Sequence, residues 1–244
     1  MKKALYLVVA LVALFSLCAC GVEATGDEGG KADTDTLKEM PKAEANLDSQ
    51  FGVDKNITVA NIDEYLGRED TVYRDMRMLF DPADYAAIGG DADLSFSIEG
   101  FKVVPYPYIA TLQTLPVDGA YVGNCLFNVE WADDGSIVSV TENYKESMQA
   151  LEELFPKDKN IVLTCGGGGY AGMTRALLIE LGWDAEKLYN IGGSWEYKGE
   201  HKFEIISYPE DANEEPIMAT WRADYAYIEF DKLHPITDDV TEAE

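Results

Sequence analysis

The chain has 244 residues, 47% of them hydrophobic, and a formal net charge of -26. That length and apolar content suit one ordinary domain with extensions and exclude disorder throughout. The negative charge repels DNA, RNA and anionic headgroups, so nucleic acid and a polybasic membrane contact are both excluded as partners.

Residues 1–20 read as an export signal, with Lys2 and Lys3 at the start and an apolar core too short for a comfortable membrane span. Its end, Leu17-Cys18-Ala19-Cys20-Gly21, resembles a bacterial lipobox. Cys20 fits the lipidated place because small Ala19 precedes it, whereas Leu17 before Cys18 fits poorly. The expectation is an extracytoplasmic chain anchored to the membrane through lipid on Cys20. A plain secretory signal is the alternative. Residues 21–50 are rich in Gly, Ala, Thr and charge, the composition of a flexible acidic tether.

The domain proper is expected over residues 51–200. Residues 56–66 suggest a mixed short strand and helix, and residues 71–77 a strand ending in charge at Asp75 and Arg77. Asp81, Pro82, Asp84 and Tyr85 open a turn or helix that Gly89-Gly90 closes. Residues 96–108 read as a strand leaving into an extended loop, because two prolines follow it. Alternation at Cys125, Phe127, Val129 and Trp131, then Asp133-Asp134-Gly135-Ser136, then Ile137, Val138 and Val140, predicts a β-hairpin. Asn143 with Glu146 has capping-box spacing before a helix whose face is Tyr144, Met148, Leu151 and Phe155.

The chemistry concentrates next. Ile161, Val162 and Leu163 read as a buried parallel strand ending at Cys165, followed by Gly166-Gly167-Gly168-Gly169-Tyr170-Ala171 and a helix that Gly182 stops. A thiol at the carboxyl end of a parallel strand, just ahead of a helix amino terminus, sits where free N–H groups and the dipole favour an anion. A thiolate there is expected to be stabilised and reactive. Leu188 to Ile191 form a further strand before Gly192-Gly193-Ser194-Trp195. Strands alternating with helices predict an open parallel sheet covered on both faces. Residues 201–244 form a C-terminal extension with strand-like runs at 203–208 and 221–230, for which an added hairpin is the default.

The two histidines, His201 and His234, lie far in sequence from the cysteine loop, and the four cysteines form no CxxC pair. No Cys-His dyad, metal or cofactor is therefore expected. Residues 167–172 satisfy GxGxxG, but the next strand ends in Ile191-Gly192-Gly193 where a ribose-binding acid is wanted. A P-loop lacks its Lys-Ser or Lys-Thr, and a cysteine phosphatase requires arginine where Ala171 stands.

Four pieces in order resemble a rhodanese (sulfurtransferase) domain: Asp75-Met76-Arg77, Ile98-Glu99-Gly100 through Pro105-Tyr106, Ile161 to Cys165 with its glycine loop, and Ile191-Gly192-Gly193 before Trp195. The resemblance spans about residues 57–198, with an insertion at about 108–140. It implies a doubly wound α/β fold with helices on both faces. It also implies that Cys165 takes sulfane sulfur from a small sulfur-containing anion and passes it to a thiol or other nucleophilic acceptor. The backbone amides of Gly166, Gly167, Gly168, Gly169, Tyr170 and Ala171 would cradle the sulfur, with Asp75, Arg77 and Arg175 supporting. The sequence departs from the family where Gly166 and Tyr170 stand in place of loop arginines and Ser97 replaces a frequent histidine. Arg175 can compensate in part, pair with Asp75, or lie on a solvated helix face. Cys125 can relay sulfur, form a disulfide with Cys165, or be a buried unpaired cysteine. The competing function is a noncatalytic binding module of the same fold.

Overall fold

A computed structural model describes residues 37–77, 96–112, 123–204, 206–207, 217–218 and 228–236. The signal segment with Cys20, the tether up to residue 36, the turn at residues 81–90 and the run at 221–227 lie outside the described residues.

The central element is a four-stranded, all-parallel sheet in the order β3-β1-β6-β7, made of β1 (Thr71–Asp75), β3 (Lys102–Val103), β6 (Asn160–Cys165) and β7 (Leu188–Gly193). Its interior strand β6 carries Ile161, Val162 and Leu163, all fully buried, as expected of a strand covered on both faces. Register runs from Thr71 opposite Asn160 to Asp75 opposite Thr164 on one side, and ends with Cys165 opposite Gly193 on the other. Parallel pairing therefore brings Asp75, Cys165 and Gly193 to one edge of the sheet, its carboxyl edge.

Alternation along β6 divides the core. Ile161 and Leu163 face a cluster with Leu151, Phe155, Leu177, Leu178 and Trp183. Val162 faces the opposite way, with Tyr73, Tyr189, Ile191, Ile57, Ile62 and Phe101. Helices α1 (Tyr106–Ile109), α2 (Ser147–Leu154) and α3 (Gly169–Glu180) all contribute to the first cluster. Burying each large aliphatic side chain there contributes about 1.5–3 kcal/mol. Gly182, at φ 93°, ends α3, and Trp183 Nε1 then donates to the Phe155 carbonyl at 2.7 Å, tying the ends of α2 and α3 together.

The chain is thus α/β, with a parallel sheet flanked by helices. On the second face the described residues supply a 3₁₀ turn at Ile62–Tyr65, the irregular residues 57–59 and a ribbon of β2 (Phe96–Ile98) with β8 (Lys202–Glu204). The hairpin is present as antiparallel β4 (Phe127–Trp131) and β5 (Ile137–Glu142).

Four local expectations change. Residues 37–49 of the expected tether are attached to the domain: Ala43 N–H donates to the Glu186 carbonyl, Tyr189 Oη donates to the Pro41 carbonyl, and Ala45 bridges Asp54. The nearly buried Asp54 carboxylate fixes this strap by accepting from the amides of Glu44, Asn56 and Ile57. Composition could not reveal that, because the partners are remote in sequence. The Asn143–Glu146 capping box does not form; Asn143 donates to the Cys125 carbonyl, and Glu146 receives His234 Nδ1 at 2.7 Å. Pro105 is followed by the one-turn helix α1 instead of an extended loop, since proline suits a helix start. In the tail the paired strands are β9 (Ile206–Ser207) and β10 (Ile217–Met218), closer together than the expected runs.

Candidate functional site

Between β6 and α3 the chain turns through Gly166, Gly167 and Gly168. Gly168 takes φ 92°, the left-handed region that glycine adopts without a steric penalty, and a Cβ there would also lie 3.3 Å from Gly192 Cα. This conformation points the Gly168 N–H at Cys165 Sγ, 3.0 Å away. The amides of Ala171 and Tyr170, in the first turn of α3, also pull the thiol of Cys165 down. Three of the six residues expected to form the cradle thus present an amide to the thiol. Gly169 begins the helix, while Gly166 and Gly167 border it at the half-exposed rim.

Cys165 itself is only 4% exposed. Burial pushes its thiol up from the ordinary value and outweighs the amides of Ala171, Gly168 and Tyr170, which pull it down; the nearby Asp75 carboxylate pushes it up further. Burial therefore works against the thiolate that the helix start and the amides favour, and holds the proton on sulfur.

Asp75 and Arg77 lie at the same edge, 0% and 2% exposed, as a buried ion pair. Arg77 Nε donates to Asp75 Oδ2 at 2.9 Å and Nη2 to the same oxygen at 2.5 Å, while Nη2 also donates to the Phe96 carbonyl at 2.8 Å. Ser97 Oγ completes the carboxylate's shell at 2.8 Å, so Ser97 serves Asp75. Arg175 is not brought to this group. Its Nε donates to the Leu188 carbonyl at 3.0 Å and the acid it senses is Asp54, not Asp75.

Several residues here escaped the sequence reading. Asn190, fully buried in β7, donates Nδ2 to the carbonyls of Phe51 (2.8 Å) and Gly168 (3.3 Å) and accepts from Gly192 N–H at 3.1 Å. It thereby fixes the peptide beside the one that holds the sulfur. A lone amide inside Leu-Tyr-Asn-Ile was the available signal. Phe51 is the one described non-glycine residue at positive φ (68°), and its ring lies over Gly169, 3.5 Å from where a Cβ would be. The Trp195 ring lies over Gly167, where a Cβ would come within 2.6 Å of it. Tyr170 stacks on Tyr106 with centroids 5.6 Å apart.

Cys125 is buried and free, as is Cys165; it donates to the Phe127 carbonyl at 3.2 Å, and burial pushes its thiol up. The histidines pair with surface acids, His201 with Glu99 and His234 with Glu146. Among the described residues no His, Cys, Asp and Glu cluster can hold a metal, and no helix is long and apolar enough to cross a membrane. Comparison with family models, curated proteins and solved structures finds no match.

Proposed function

We propose that the chain is a rhodanese-like sulfurtransferase, exported and held at the membrane by lipid on Cys20, that carries sulfane sulfur as a persulfide on Cys165. The observation that carries this reading is the convergence of the Gly168, Tyr170 and Ala171 amides on Cys165 Sγ at the start of α3. Amides preorganised in a poorly hydrated site favour the state in which sulfur bears negative charge, here the attacking and departing sulfurs. The parallel sheet with the cysteine at the carboxyl end of an interior strand supports the family's doubly wound frame as well.

In the loading step Sγ bonds to the donor's sulfane sulfur and the bond from that sulfur to the rest of the donor breaks. The leaving group takes the electron pair, and the cysteine proton passes to it or to water. An acceptor thiol then bonds to the outer sulfur and Cys165 regains its proton. Because the resting thiol is protonated, loading is slow at neutral pH and quickens with alkalinity.

The raised thiol and the lack of loop arginines favour a second reading, a binding module without turnover. Intact-protein mass spectrometry after treatment with sulfane donors separates the two. A gain of one sulfur mass on the wild type, lost in Cys165→Ala and kept in Cys125→Ala, is the expected result. Equal inertness of wild type and Cys165→Ala to every donor leaves only the binding module.

A further inference from the structure

The rim of the sulfur cradle is aromatic. Trp195 covers Gly167, Phe51 covers Gly169, and Tyr170 stacks on Tyr106. Phe51 is 47% exposed although Asn190 clamps its carbonyl, so an apolar ring is held at the surface beside the loop. Ser194, on the turn that sets Gly193 and Trp195 against Gly166, is 1% exposed, and its Oγ lacks a hydrogen-bond partner among the described residues.

The charges point the same way. Arg77 is engaged by Asp75 and the Phe96 carbonyl, and Arg175 by the Leu188 carbonyl. Among the described residues, a doubly charged oxyanion entering the rim would lose its hydration beside two arginines already engaged, on a chain of net charge -26.

We infer that the donor to Cys165 is an organic persulfide bearing an apolar group, and not an inorganic oxyanion such as thiosulfate; this rests on the sulfurtransferase reading above. The apolar group lies on Phe51 and Trp195 while the outer sulfur enters the amide bowl. The step balances without an oxidant: Cys165–SH and R–S–SH give Cys165–S–SH and R–SH. Sγ bonds to the outer sulfur, the S–S bond of the donor breaks, and its electron pair with one proton leaves as R–SH.

The test loads the full chain with benzyl persulfide, glutathione persulfide or thiosulfate at equal concentration, and follows the rate of sulfur gain on Cys165 by mass spectrometry. Benzyl persulfide is expected to load about tenfold or more faster than either polar donor, the scale on which apolar sites discriminate. Phe51→Ala and Trp195→Ala are each expected to shrink the benzyl-to-thiosulfate ratio several-fold, on that same scale. The exposed Phe51 keeps this test independent of folding. Thiosulfate or glutathione persulfide loading as fast as benzyl persulfide overturns the apolar-donor inference and leaves sulfur transfer standing. An unchanged ratio in both variants overturns it as well. No sulfur gain from any donor overturns sulfur transfer itself, and this inference with it.

Discussion

Cys165 and Cys125 make a controlled pair: both are free, both are buried, and burial pushes both thiols up. Their polar surroundings differ. Cys125, just before the hairpin, donates to the Phe127 carbonyl and accepts from Asn143 Nδ2 at 3.5 Å, and the Asn143 amide and the Phe127 backbone pull its thiol down against burial. Cys165 has three backbone amides from a glycine turn and a helix start, with a buried carboxylate behind it. Both sulfurs meet amides that stabilise S⁻, but only Cys165 receives them from a glycine turn and a helix start, a backbone arrangement that also suits a bound anion. Burial alone therefore says little about a cysteine; the backbone arrangement around the sulfur sets the two sites apart.

Arg77→Ala should have the largest effect on that contrast. It leaves the Asp75 carboxylate buried and unpaired, which costs about 3–5 kcal/mol in unfolding free energy measured in urea. It should also slow iodoacetamide alkylation at Cys165 while sparing Cys125, since Asp75 acts on Cys165 alone of the two. Equal slowing at both sites would remove Asp75 from the account.

Gly168→Ala comes next. A side chain in the left-handed region costs about 1–2 kcal/mol, and here the new Cβ must also displace Gly192. The Gly168 amide then swings from Sγ, so sulfur loading should fall with little change at Cys125. Retention of wild-type loading would show that the Tyr170 and Ala171 amides suffice.

The smallest effect is a pH dependence. Each thiol is neutral in the folded protein to a higher pH than in the unfolded chain, whose thiols titrate near about 8.5. Their contribution to stability is therefore whole below that value and lost as pH climbs through the raised folded values, because the unfolded state releases protons first. Urea midpoints should be flat in this respect from pH 6 to 8 and fall above it, with a shallower fall in Cys125→Ala. A plateau of Cys165 alkylation below pH 8 would contradict the burial argument.

Much of the site was legible locally. The β-branched run ending in Cys165, the glycine stretch and the apolar spacing after it report strand, turn and helix because each depends on neighbours along the chain. The hairpin was legible for the same reason. What was hidden depends on partners remote in sequence. Asn190 reaches Phe51 across 139 positions, and the strap at residues 37–49 is held by backbone groups and by partners remote in sequence such as Glu186 and Tyr189. The capping box failed because His234, 88 positions away, takes Glu146. Arg175 was placed one turn beyond the loop, yet its helix face turns it to Leu188.

The amino-acid order alone determined that a cysteine ends an interior strand and that glycines follow where a backbone must curl, since steric limits on φ and hydrophobic periodicity are local. Only the folded arrangement decided that this sulfur is buried, that Asp75 is paired with Arg77, and that the Trp195 and Phe51 rings lie over Gly167 and Gly169. Desolvation and charge pairing are set by what surrounds a group in space, and that is assembled only when distant segments meet.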